Sequence, residues 1–200
     1  MCSCRLKGSR EPYRRICITA REMCALPLPE HIEHLVAGGC IDAVILRDKA
    51  SDEIAYEKLA REMLAVCGRL QVECIAHTFI GAAQRVGCRS IHVPLDLLRE
   101  TGRPAGMVRV GTGIHSLEQI AEAQQLGADY LIASHIFETE CKSGQPGRGL
   151  EFLHEAVLRA SVPVYALGGI TDINELQVID AGADGACRMS DYMKRSFVLS

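Results

Sequence analysis

The sequence predicts a (β/α)8 barrel, compact and with a short or truncated last helix. Two observations carry that prediction. Short apolar runs alternate with longer amphipathic stretches, as in βα units around a parallel sheet, and there are eight such units. A glycine also recurs where a helical stretch hands over to the next apolar run: Gly39-Cys40, Gly87-Cys88, Gly127-Ala128 and Gly182-Ala183. Glycine just past a helix takes a left-handed conformation that other residues resist, so the repetition argues for one repeated unit. An open doubly wound sheet is the alternative that the same rhythm allows.

The apolar runs place strands at 15–19, 42–47, 72–77, 90–93, 108–111, 130–136, 162–167 and 185–189. Between the second and third, Ile54, Leu59, Met63 and Val66 recur at helical spacing and predict a helix over 51–66. Ser116 with Gln119 suits a capping box at the start of a helix over 116–126. The link after strand four is lean, with only 95–99 to make a helix. After strand seven a helix is expected to open directly at Thr171, and 191–198 leave only a stub after strand eight.

Two hundred residues suit a single domain over 1–200, with 1–14 expected to be a flexible N-terminal extension. A net charge of −3 offers no basic face for nucleic acid, although it leaves room for a local anion site. No uncharged apolar run approaches a membrane span, and the charged N-terminus MCSCRLKGSREPYRR has no signal-peptide core, so the cytoplasm is the expected location. The ten cysteines are scattered, many inside apolar segments, and are expected to be thiols. Cys2 and Cys4 lack the second ligand pair that a soft metal would need and read as part of a frayed end.

In a barrel the active site lies at the C-terminal ends of the strands. That gathers Arg47, Asp48 and Lys49; His77 and Thr78; His92 and Asp96; Thr112 and His115; the stretch 135–142; Gly168 and Gly169; and Arg188, Met189 and Ser190. Strand seven, VPVYALGG, runs into the expected helix at Thr171. Amides of Gly168 and Gly169, closed by those of Met189 and Ser190, would make a phosphate site without a basic side chain. A plain tight turn would use the same glycines. On the phosphate reading, Gly169→Val blocks the anion without unfolding the barrel. His135, at the end of strand six, suits acid–base work because imidazole titrates near neutrality. The loop after it, 138–149, holds three glycines and a proline and reads as a lid. His31, His34 and His154 fall on helices and read as structural.

The stretch ASHIFETECKSGQPGRGLEFL, with GTGIHSLEQIAEAQQLGADYL before it and VPVYALGGITDINELQVIDAGADGACRMS after it, resembles the TenI-type thiazole tautomerases. These belong to the thiamine phosphate synthase/TenI superfamily of (β/α)8 barrels. The likeness is strong over 108–190 and looser over 15–107, where DAVILRDK matches the second strand. The tautomerase subgroup's pattern H-[IV]-F-E-T-[DE]-C-K is reproduced from His135 to Lys142. The resemblance implies an isomerase that converts an exocyclic-alkene carboxythiazole phosphate to its aromatic form, with a thiazole phosphate as its small-molecule partner. It implies His135 as the proton carrier and no metal or organic cofactor. Arg47, Lys49, His77, Thr139 and Lys142 would contact substrate, and Gly168, Gly169, Met189 and Ser190 the phosphate. His77 and His92 are open as second acids or as structural groups.

The synthase branch of the superfamily instead joins hydroxymethylpyrimidine pyrophosphate to thiazole phosphate. It would be expected to carry Q-L-R-x-K on strand two, Asn-Asp after strand three and an Asp after strand four, the two later acids binding magnesium and pyrophosphate. Here Ile45 stands at the glutamine and His77-Thr78 at Asn-Asp, while Asp96 fits the last acid only with a gap. The tautomerase is therefore the leading expectation, the synthase the first alternative and a non-catalytic phosphate-ligand regulator the second. A homo-oligomer remains open.

Overall fold

The computed structural model describes residues 12–139 and 144–197. Its strands are β1 (Arg14–Ile18), β2 (Ala43–Leu46), β3 (Glu73–His77), β4 (Ser90–Val93), β5 (Arg109–Ile114), β6 (Tyr130–Ser134), β7 (Val164–Leu167) and β8 (Gly185–Arg188). All neighbours pair in parallel, and β1 pairs with β8 to close the barrel. The helices are α1 (Leu28–Ala37), α2 (Glu53–Leu70), α3 (Ile80–Arg85), α4 (Leu95–Thr101), α5 (Gln119–Gln125), α6 (Gly149–Arg159), α7 (Glu175–Asp180) and α8 (Ser190–Met193). Among the described residues no helix is long and apolar enough to cross a membrane.

A parallel strand in a barrel is covered on both faces, so it reads as a continuous apolar run rather than an alternating one. All four residues of β2 are buried. Ile16, Ile18, Ile45, Ile75, Ile132 and Cys187 point into one interior cluster with Tyr130 and Tyr165. Their neighbours along the strands, such as Cys17, Val44 and Leu46, face outward beneath α1 and α2. The four recurrent glycines are all left-handed, with φ of 64°, 74°, 86° and 90° at Gly39, Gly87, Gly127 and Gly182.

Below the interior cluster, at the N-terminal end, a polar layer seals the barrel. Glu73 accepts from Arg14 at 2.7 Å, Arg109 at 3.1 Å and Ser90 at 2.8 Å, and Arg109 also donates to Tyr165 Oη at 2.6 Å. Arg14, which the sequence assigns to the flexible extension, is thus the first residue of β1 and part of the seal.

Three boundaries differ from expectation for local reasons. Gln119 Oε1 accepts the Ser116 amide at 3.3 Å, the reciprocal half of the expected capping box, but the regular helix α5 begins only at Gln119. Strand six stops at Ser134, because Ile136 and Phe137 donate instead to Leu167 and Gly168 across the rim. The helix expected from Thr171 opens only at Glu175, since Asn174 Oδ1 takes the Thr171 amide and turns the chain first.

Tyr130 fits only because β5 carries Gly111 beneath it: a β-carbon there would lie inside the Tyr130 ring. Tyr130 is fully buried, so the ring has nowhere to go. Gly111→Ala is expected to lower stability by about 1–3 kcal/mol, the usual cost of overpacking a filled core. Denaturant unfolding measures it, and an unchanged midpoint would refute the packing argument.

Candidate active site

The C-terminal ends of the strands open onto a cavity of ≈ 640 Å³. Its walls include Arg47 and Lys49 after β2, His77 at the end of β3 and His92 on β4. They continue with His135 and Thr139 after β6, Gly168 and Gly169 after β7, and Arg188, Met189 and Ser190 at β8. Every described residue that the sequence assigned to catalysis, substrate or phosphate therefore faces one space. Lys142 lies outside the described residues.

His77 and His92 form the floor on the β3–β4 side, with rings stacked at 5.8 Å and 19°. Tyr56 of α2 holds this corner: its hydroxyl donates to Leu46 O at 2.7 Å and accepts the His77 amide at 2.8 Å. Thr78 then takes φ of 66° at the centre of a three-residue turn, its hydroxyl 2.7 Å from His77 Nδ1. A β-branched residue in that conformation stores strain, which usually marks a functional corner. Burial, with the charges of Arg47 and Lys49 adding to it, pushes His77 down to about 4. Burial and then His77 push His92 down to about 3. Both imidazoles are neutral at pH 7, and His92 Nδ1 has no protein partner.

His135 is buried just past β6. Its Nε2 lies 3.3 Å from Gln145 O, while its Nδ1 has no partner among the described residues. The backbone around it is clamped onto β7: Ile136 N donates to Leu167 O at 2.9 Å and Phe137 N to Gly168 O at 3.0 Å. The two glycines make this approach feasible. A β-carbon on Gly168 would meet His135 Cα at 2.8 Å, and one on Gly169 would meet Phe137 Cβ at 2.8 Å and overlap the Glu138 carbonyl oxygen. Their φ values, 109° and 64°, are themselves unfavourable for other residues.

This corrects the expectation for Gly169→Val. The side chain would strike the β6 loop before it met any ligand, so stability should fall together with affinity. The helix-dipole argument also weakens. The helix beyond Thr171 is short, starts at Glu175 and has a buried carboxylate in its first turn.

Arg188 is the main residue that the sequence reading left without a role. Its guanidinium is buried, 2.6 Å from Asp172 Oδ1 and 3.1 Å from Asp191 Oδ2, with Nη2 2.6 Å from Glu175 Oε2 in ion-pair contact but off hydrogen-bond geometry. Arg195 joins the same acids at 2.8 and 3.3 Å. The signal was the i, i+3 and i, i+4 spacing from Asp191 to Lys194 and Arg195 in a segment dismissed as a stub. Arg15 reaches Glu175 at 3.4 Å, so three arginines meet three carboxylates on the β8 side. On the β2 side, Arg47 and Lys49 form no ion pair among the described residues; Arg47 Nη1 lies 3.9 Å from Met189 Sδ.

The other strand-end candidates are outside the cavity. Asp48 turns back to Arg21, the Ala50 amide and Ser51. Asp96 is exposed and pairs with Arg99. Thr112 donates to Val93 O, and His115 contacts Ser134. The rim therefore does not fit magnesium, which needs hard oxygen ligands. The β3 and β4 ends offer imidazoles and a hydroxyl, and Asp191, the one carboxylate among the described residues that line the cavity, is held by arginines. Among the described residues no three His, Cys, Asp or Glu side chains are grouped to hold a metal ion.

The family model described as thiamine monophosphate synthase matches residues 16–191. The chain belongs to that family. It is 30% identical to the thiamine-phosphate synthase of Shouchella clausii over 92% of this chain and 90% of that one. It is 31% identical to that of Pyrococcus abyssi over 96% and 92%. The solved thiamine phosphate pyrophosphorylase of Pyrococcus furiosus shares the fold, with a TM-score of 0.79 at 24% identity, covering 92% of this chain and 88% of that one. Family membership places the chain among enzymes of thiamine synthesis.

These relatives overturn the tautomerase expectation, and with it the isomerase class, because they are named as synthases. The described start of the segment 135–142, from His135 to Glu138, packs its backbone against Gly168 and Gly169.

The neutral imidazoles carry a pH prediction. Once unfolded, both histidines protonate near 6.5, so the unfolded state takes up protons first as the pH falls. Their contribution should be intact above pH 6.5 and decline as the pH drops toward about 4 for His77 and about 3 for His92. The loss should reach at most about 1.4 kcal/mol per pH unit for each group. Denaturant unfolding across pH 4–7 measures it. A profile that His77→Gln with His92→Gln leaves equally steep would show that other groups set the slope.

Proposed function

We propose that the chain is a thiamine-phosphate synthase, joining hydroxymethylpyrimidine pyrophosphate to thiazole phosphate within the barrel mouth. The observation that carries this reading is the 30% identity to the Shouchella clausii synthase across nine-tenths of both chains. The cavity suits it in kind, since it has apolar walls such as Ile18, Ile45 and Ile132 for two rings and polar groups at opposite sides.

In this reaction the thiazole nitrogen attacks the pyrimidine methylene carbon. A C–N bond forms, the C–O bond to pyrophosphate breaks, and the bonding pair leaves with the pyrophosphate. The enzyme has to align the two substrates and meet charge growing on the leaving group. Arg47 and Lys49, with Thr139 and Lys142, are assigned to the pyrophosphate side. The backbone at Gly168, Gly169, Met189 and Ser190 is assigned to the thiazole phosphate. His135, with one ring nitrogen unpartnered among the described residues, is assigned a hydrogen bond to substrate.

Incubation with both substrates should yield thiamine phosphate and pyrophosphate in equal amounts. His135→Asn should lower kcat/KM by roughly tenfold, the worth of one ligand hydrogen bond of about 1.5 kcal/mol. Binding of both substrates without product would replace the synthase reading with that of a phosphate-ligand regulator.

A further inference from the structure

We infer that the pyrophosphate corner of this cavity works without a divalent cation, its anion met by Arg47 and Lys49 above a floor of paired imidazoles. The inference rests on the synthase reading for the identity of the anion and on geometry for the rest. A hard cation would need carboxylate or other oxygen donors at the ends of β3 and β4. Those ends carry His77 and His92, stacked on one another, with His77 Nδ1 already occupied by the Thr78 hydroxyl.

Carboxylates nearby on the sequence are spent elsewhere. Asp48 closes its own turn and pairs with Arg21, Asp96 is on the exposed face of α4, and Asp191 lies between Arg188 and Arg195. In contrast, Arg47 and Lys49 line the cavity and have no carboxylate partner among the described residues. Twelve other described arginines are ion-paired, at positions 14, 15, 21, 61, 69, 85, 99, 103, 109, 159, 188 and 195. Two uncompensated cations beside a cavity call for an anionic ligand. Neutral imidazoles are compatible with that ligand: they add no negative charge, whereas the carboxylates of a metal site would repel it unless the metal were bound.

The test is calorimetric titration of the full chain with inorganic pyrophosphate, in EDTA and again with excess magnesium. Binding in EDTA should be at least as tight as with magnesium, because magnesium sequesters pyrophosphate in solution. The Arg47→Gln, Lys49→Gln double variant should lose at least tenfold in affinity in EDTA while melting as the parent does. Heat that appears only with magnesium, or a double variant that binds as tightly as the parent, would overturn the inference. The synthase reading is tested separately: pyrophosphate binding in EDTA without thiamine phosphate formation removes that reading and supports the metal-free site. Turnover that needs magnesium, with no binding in EDTA, does the opposite.

Discussion

The rim exists because β1 pairs with β8. A parallel sheet left open would expose two edges of unpaired backbone, and here the pairing runs from Arg14–Gly185 to Cys17–Arg188. Closure matters more in this chain than in a barrel with long helices. Four of the outer helices, α3, α4, α5 and α7, have only six or seven residues, so the outer layer is lean. Much of the burden falls on the interior, where Tyr130 and Tyr165 fill the lower half and the Glu73 cluster seals the base. With the base sealed, the opposite end is the open one, and every strand but β5 delivers side chains to its cavity.

What distinguishes that end is an uneven distribution of charge. On the β8 side, Arg188 is buried in ion-pair contact with Asp172, Glu175 and Asp191. This network stiffens the turn beyond Gly169 and leaves little net positive charge for a ligand. On the β2 side, Arg47 and Lys49 stand next to two neutral imidazoles instead of carboxylates. An anion entering the cavity therefore meets backbone at Gly168, Gly169, Met189 and Ser190 on one side and the cations Arg47 and Lys49 on the other.

The fold was legible because its signals are repeated. Gly39, Gly87, Gly127 and Gly182 mark the same junction four times, and each is left-handed for the same steric reason. The location of the site was legible too, since strand ends in a barrel converge whatever the residues are. The Arg188 network was not, because its acidic partners come from two separate segments, one after β7 and one after β8, and none is a motif alone. The reaction was misread for a related reason. The run from His135 to Lys142 is long and contiguous, and contiguity gave it weight. In the fold, its described part lies against Gly168 and Gly169, and those contacts constrain its backbone and small-residue partners without reference to chemistry.

The pair at β3 and β4 shows how a substitution of ligand type can change what a site requires. A carboxylate at this position would be costly beside apolar residues unless a cation neutralised it. An imidazole at the same depth avoids that cost by staying neutral, which is what burial does to His77 and His92. The local field is then set by Arg47 and Lys49 alone, and it is positive. A pyrophosphate brought into that field would be drawn to the cations directly and would in turn favour protonation of the nearby His77. Imidazoles at these two strand ends thus add no negative charge to the corner that Arg47 and Lys49 line.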